Sequence, residues 1–183
     1  MTALVVLGIV VILALIGVGL YNSLVRARVR VDEAWSGIST QLKRRHDLIP
    51  NLVETVKGYA SHEKGVLEKV TELRSRAMSA TTPAQVAQSE GLLTQALRGL
   101  YAVAESYPDL KANQSFLSLQ QTLAETEGMI AGARQGYNGA VRDLNTRIES
   151  VPTNFFAGAF GFTRREFFEI EDPAERAVPQ VRF

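Results

Sequence analysis

Residues 3–25 read ALVVLGIVVILALIGVGLYNSLV, and no charged side chain occurs before Arg26. As a helix rising ~1.5 Å per residue this stretch is about 34 Å long, slightly more than the roughly 30 Å hydrocarbon core of a bilayer. Thirteen Leu, Ile and Val residues lie between Leu4 and Leu20. Each favours insertion by about 0.3 to 0.6 kcal/mol near the bilayer centre. Residues 1–25 are therefore expected to be a transmembrane anchor. A cleaved signal peptide would need a positive n-region, a short h-region and a small-residue cleavage site. Here Thr2 precedes the run without a basic residue, the run is longer than an h-region, and Tyr21-Asn22-Ser23 follows it. Arg26, Arg28 and Arg30 come directly after the span, and Lys43, Arg44 and Arg45 lie within twenty residues. Basic loops stay in the cytoplasm, so the N-terminus is expected outside and the bulk of the chain inside.

Composition separates the anchor from the rest. The mean hydropathy is close to zero because a strongly apolar anchor is averaged with a polar remainder, and that remainder is long enough for one domain with its own core. A net charge of +1 gives no general attraction to nucleic acid. With zero cysteines, disulfides, thiolate metal sites and a Cys nucleophile are excluded.

Beyond Arg26 the apolar periodicity is helical. Val31, Trp35, Ile38 and Leu42 step by 4, 3 and 4, and nothing between Leu20 and Arg30 breaks a helix, so the anchor is expected to run on as one rod. Trp35 lies too far along that rod for an interfacial belt and reads as a packing residue. The run Lys43-Arg44-Arg45-His46-Asp47-Leu48-Ile49-Pro50-Asn51 is the densest cluster of unusual residue types. Pro50 predicts a helix end near Asp47 and a new helix opening at Pro50. The basic tripeptide reads either as a site for an anionic headgroup or acidic partner, or as a solvated helix C-terminus where cations meet the negative dipole end. Arg44, Arg45, Asp47, Pro50 and Asn51 are the interaction candidates here.

The second helix is expected to carry Val53, Val56, Ala60, Leu67, Val70, Leu73 and Ala77 to about Ser79, with Gly58 and Gly65 marking a bend or crossing contact. His62-Glu63 begins like a zincin motif, but position 66 is Val66 and the chain has only two histidines. No metal site is expected. Thr82 N-caps and Pro83 opens a third helix ending before Tyr107-Pro108. The fourth is the most regular: positions 116 to 148 step by 4 and 3 through Phe116, Gln120, Leu123, Glu127, Ile130, Arg134, Tyr137, Val141, Leu144 and Ile148, a heptad over nearly five repeats. Glu127 and Arg134 fall in that seam, where a lone buried charge costs several kcal/mol, so each needs a partner. Arg45, Glu54 and Glu63 are candidates. Cross-helix pairing fits this pair better than catalysis, for which no nucleophile or pocket is legible.

The motifs Val31-Asp32-Glu33-Ala34-Trp35, Arg44-Arg45-x-Asp47-Leu48-Ile49-Pro50-Asn51-Leu52-Val53, Tyr107-Pro108-x-Leu110-x-Ala112-Asn113, Thr126-Glu127 and Ala133-Arg134-x-x-Tyr137-Asn138 resemble the LemA family over nearly everything after the span. The resemblance implies a bacterial single-pass protein of the inner membrane, with a small external N-terminus, a cytoplasmic antiparallel helical bundle and no established enzymatic activity. It also implies a possible partnership with membrane peptidases or TPM-domain proteins, whose genes often neighbour those of the family.

The tail, residues 151–183, holds seven of the eight Phe residues. Burial over the bundle, as a short helix plus extended chain, is the default for so aromatic a segment. The sharper alternative is a partner or subunit groove filled by Phe167, Phe168 and Phe183. The expected architecture is thus all-α: a transmembrane anchor (1–25), an antiparallel four-helix bundle (26–150) and a Phe-rich tail (151–183). The expected role is a non-enzymatic, self-associating scaffold without cofactor or nucleic acid, whose partners are the lipid bilayer, copies of itself and a membrane protein. The alternative is an accessory subunit of a membrane peptidase or other membrane enzyme.

Overall fold

The computed structural model describes residues 1–169, which are all-α, with no strand among them. The helices are α1 (Thr2–Lys57), α2 (Lys64–Ser79), α3 (Pro83–Glu105), α4 (Pro108–Lys111), α5 (Gln114–Glu149) and α6 (Thr153–Ala159). Two compact units divide the described residues: Met1–Ile38 with Ala133–Glu166, and Ser39–Gly132 with residues 167–169.

In the first unit, residues 1–16 of α1 are exposed on every side, and the helix is long and apolar enough to cross a membrane. The buried face begins at half-covered Gly17 and Leu20 and continues through Leu24, Ala27 and Val31, a stripe at helical spacing. Leu24 packs with Ala157 and Phe162, flanked by Ile148 and Phe156. Phe162 reaches Leu24 because α6 ends in a Schellman-type turn. Gly161 takes the left-handed φ of 68°, and the Phe162 N–H donates to the Ala157 carbonyl at 2.9 Å, a geometry that costs a Cβ-bearing residue strain. Asn145 then holds Arg165 as a neighbouring strand would. Its Nδ2 donates to the Arg165 carbonyl at 3.0 Å and its Oδ1 accepts from the Arg165 N–H at 2.9 Å. Trp35, half-buried, packs on Tyr137 with ring centroids 5.3 Å apart.

In the second unit, α1, α2, α3 and α5 each contribute a stripe to one core. Ile49, Leu52 and Val56 meet Val70 and Leu73, Leu93, Leu97 and Leu100, and Phe116 and Leu123. The start of α3 is as the sequence predicts, with Thr82 Oγ1 accepting from the Gln85 N–H at 3.2 Å and Pro83 in the first turn; the Gln85 side chain also returns to the Thr82 N–H and completes a capping box. Short α4 separates α3 from α5, which is opened by Asn113 Oδ1 accepting from the Phe116 N–H at 3.0 Å.

One expected boundary is displaced. The helix break foreseen between Asp47 and Pro50 does not occur, because α1 continues through Pro50 to Lys57. The break falls instead at residues 58–63, where Gly58 begins the turn. Proline removes the N–H that would serve the carbonyl four residues earlier, that of His46. Arg74 of α2 replaces it, donating from Nε to the His46 carbonyl at 2.7 Å. With the orphan acceptor satisfied and the Pro50 ring on the exposed side, helix propagation through the proline costs far less than it would in isolation.

Candidate functional site

Each of three stripes in the second unit is interrupted by one charged residue at a seam position. On α1 it is Arg45, between Leu42 and Ile49; on α3, Glu90, between Val86 and Leu93; on α5, Glu127, between Leu123 and Ile130. Helical spacing therefore delivers all three to the same interior. Arg45 is 1% exposed and Glu90 2%, whereas the Glu127 side chain keeps 41% of its surface.

The guanidinium of Arg45 is the hub. Its Nη1 donates to Glu90 Oε2 at 2.8 Å, and its Nη2 meets Glu127 Oε1 at 2.6 Å and Thr94 Oγ1 at 2.7 Å. The other Glu90 oxygen, Oε1, lies 2.6 Å from Nε2 of buried His46. An ionised carboxylate only accepts, so that contact places a proton on Nε2. Tyr101 borders the cluster: burial pushes its phenol up, Arg45 partly offsets this, and Glu127 adds to it.

Both oxygens of Glu90 are engaged, so it has none left to work as an acid or base; Nη1 and Nη2 of Arg45 have acceptors, while its buried Nε has no partner among the described residues. What such a cluster can do is select a register, since any slip of one helix strands a charge in the core. No group of three or more His, Cys, Asp or Glu side chains able to hold a metal occurs among the described residues.

The remaining candidates fall elsewhere. Arg44, Asp47, Pro50 and Asn51 are exposed on α1. Arg134 is half-buried and forms no ion pair among the described residues. Phe168 is fully buried and Phe167 half-buried, while Phe183 lies outside the described residues. Among the Phe residues for which burial is the default, Phe155 and Phe160 are instead 70% and 58% exposed. Glu90 escapes the sequence reading because the apolar stripe of α3 passes from Val86 to Leu93, a gap of seven. Position 90 divides that gap into 4 and 3, and this was the signal for a charge in the seam.

Residues 34–183 match the LemA family. The chain belongs to the LemA family. This LemA-family chain is 26% identical over 200 residues to magnetosome protein MamQ 2 of Paramagnetospirillum magneticum, the alignment covering 94% of the chain and 73% of the relative. It is 28% identical over 144 residues to protein LemA of Metamycoplasma hominis, covering 76% and 64% respectively. A further relative is magnetosome protein MamQ of Magnetospirillum gryphiswaldense, 24% identical over 180 residues, covering 84% and 66%. None of these relatives is named for an enzymatic activity.

Proposed function

We propose that the chain is a scaffold of the inner membrane: the exposed apolar start of α1 spans the bilayer, and the bundle works through protein–protein contacts, including contacts with copies of itself. The observation that carries this reading is the coupling, within one continuous helix, of an exposed membrane-length apolar run to a bundle whose buried charges are spent on one another. Such a bundle is built to hold shape rather than to turn over a substrate. Arg26, Arg28 and Arg30, directly after the run, favour a cytoplasmic bundle.

Arg44, Asp47 and Asn51 step by 3 and 4 along the outer side of α1, so they share a face that a partner can read. That exposed face favours a second reading, in which the chain is an accessory subunit of a membrane enzyme such as a peptidase. Self-association is tested by light scattering on the intact chain in detergent. A protein mass of two or more chains is expected, and a monomer would remove self-association from the proposal.

A further inference from the structure

Thirteen consecutive residues, Val151 to Thr163, carry no charge, and they hold α6. A short surface helix ordinarily turns polar side chains to water. The exposed positions of this one are Phe155, Gly158, Ala159 and, just past its end, Phe160, with exposed Val151 and Pro152 before it. None of the fully exposed positions carries a polar side chain, Thr153 and Asn154 being half-buried, and Phe155 and Phe160 are the largest of them.

The position of this face along α1 says what covers it. The Phe156 ring lies so close to Gly17 that a Cβ there would come within 3.1 Å of it. Phe160 and Phe162 pack edge-on to Tyr21 at 4.9 and 5.8 Å, and Arg28 lies over the Phe162 ring at 5.2 Å. The segment thus runs beside the last turns of the apolar stretch and ends at the first basic ones. A helix from Ala3 to Tyr21 is about 27 Å long, close to the thickness of the hydrocarbon core. Tyr21 consequently falls at the level where interfacial aromatic residues sit, and Gly17 lies about 6 Å further in, within the depth reached by interfacial helices. Charges bound the segment on both sides: Glu149 and Arg164 pair at 2.9 Å outside it.

We propose that residues 151–160 are a second membrane contact, an interfacial segment that places Phe155 and Phe160 among the lipids of the leaflet through which the span leaves. The proposal rests on the reading of residues 3–21 as a bilayer span. Continuity of the exposed apolar face with that span selects lipid as the occupant, and Arg26 and Arg28 beside it favour an anionic leaflet.

The chain has no cysteine, so single nitroxide labels can be introduced by Phe155→Cys, Phe160→Cys, Leu13→Cys and Lys69→Cys in the full-length protein. The labelled proteins are reconstituted in phosphatidylcholine–phosphatidylglycerol vesicles, and collision of each label with oxygen and with a water-soluble nickel chelate is measured. Labels at 155 and 160 are expected to favour oxygen several-fold over the label at 69, though less than the label at 13. Nickel accessibility at 155 and 160 equal to that at 69, with 13 still in lipid, overturns the second contact and leaves the span intact. Nickel access at 13 overturns the span and the proposal with it. Labels at 155 and 160 shielded from both reagents and broadened by each other show a second copy on this face, which also overturns the proposal.

Discussion

Arg45 is 1% exposed, and a guanidinium taken that far from water loses several kcal/mol of hydration that only well-placed acceptors restore. Glu90 and Glu127 are not equal in this. Glu90 is buried and also faces His46, so Glu90→Ala removes the buried partner of both Arg45 Nη1 and His46 Nε2. It is expected to lower stability by about 3 to 5 kcal/mol. Glu127 is part-exposed, and without it Arg45 retains Glu90 and Thr94. Glu127→Ala is expected to cost about 1 kcal/mol, within the range of surface pairs. Guanidinium unfolding of the two variants in detergent, followed by circular dichroism, checks the order; Glu127→Ala as damaging as Glu90→Ala would contradict it. The pairing of Glu127 with Arg45 was legible in the heptad, which placed a charge in the seam and so demanded an opposite one. Glu90 carries the same 4-and-3 signal between Val86 and Leu93, but the apolar stripe of α3 reads as complete without it, so the charge in its seam is passed over.

Pro50 illustrates the limit of local rules at the level of an element. Proline inside a helix removes one hydrogen bond and ordinarily ends or kinks the run, and on that ground α1 was expected to stop. What keeps it going is Arg74, a residue 28 positions from His46, and no local rule reaches that far. The two are therefore energetically coupled. Arg74→Met is expected to cost about 1 to 3 kcal/mol by leaving the His46 carbonyl without a donor. In a Pro50→Ala background the N–H restored at position 50 can serve that carbonyl, and the cost of Arg74→Met should shrink by about 1 kcal/mol. A double-mutant cycle measures this directly, and additive losses would show that Arg74 does not compensate for the proline. Helix ends carried by residues of the same turn were readable, as at Thr82 and Pro83. Those that depend on a distant helix were not.

At the scale of the whole molecule, each compact unit has its own core: Leu24 with Ala157 and Phe162 in one, and the four converging stripes in the other. Helical class and the apolar run were readable because periodicity and length are properties of the chain itself. The placement of Phe155 and Phe160 was not, since aromatic composition says burial without saying whether protein or lipid does the burying. The proposal on which the rest depends is that residues 3–21 span the membrane and hold the bundle on the cytoplasmic side. Inverted inner-membrane vesicles, washed with alkaline carbonate and then treated with trypsin, test it in one measurement. The chain is expected to stay with the washed membranes and to be cut by trypsin to a short membrane-retained fragment, with first cleavage sites at Arg26, Arg28 and Arg30. Loss of the chain in the wash would contradict the span, and a retained bundle wholly protected from trypsin would contradict the cytoplasmic placement.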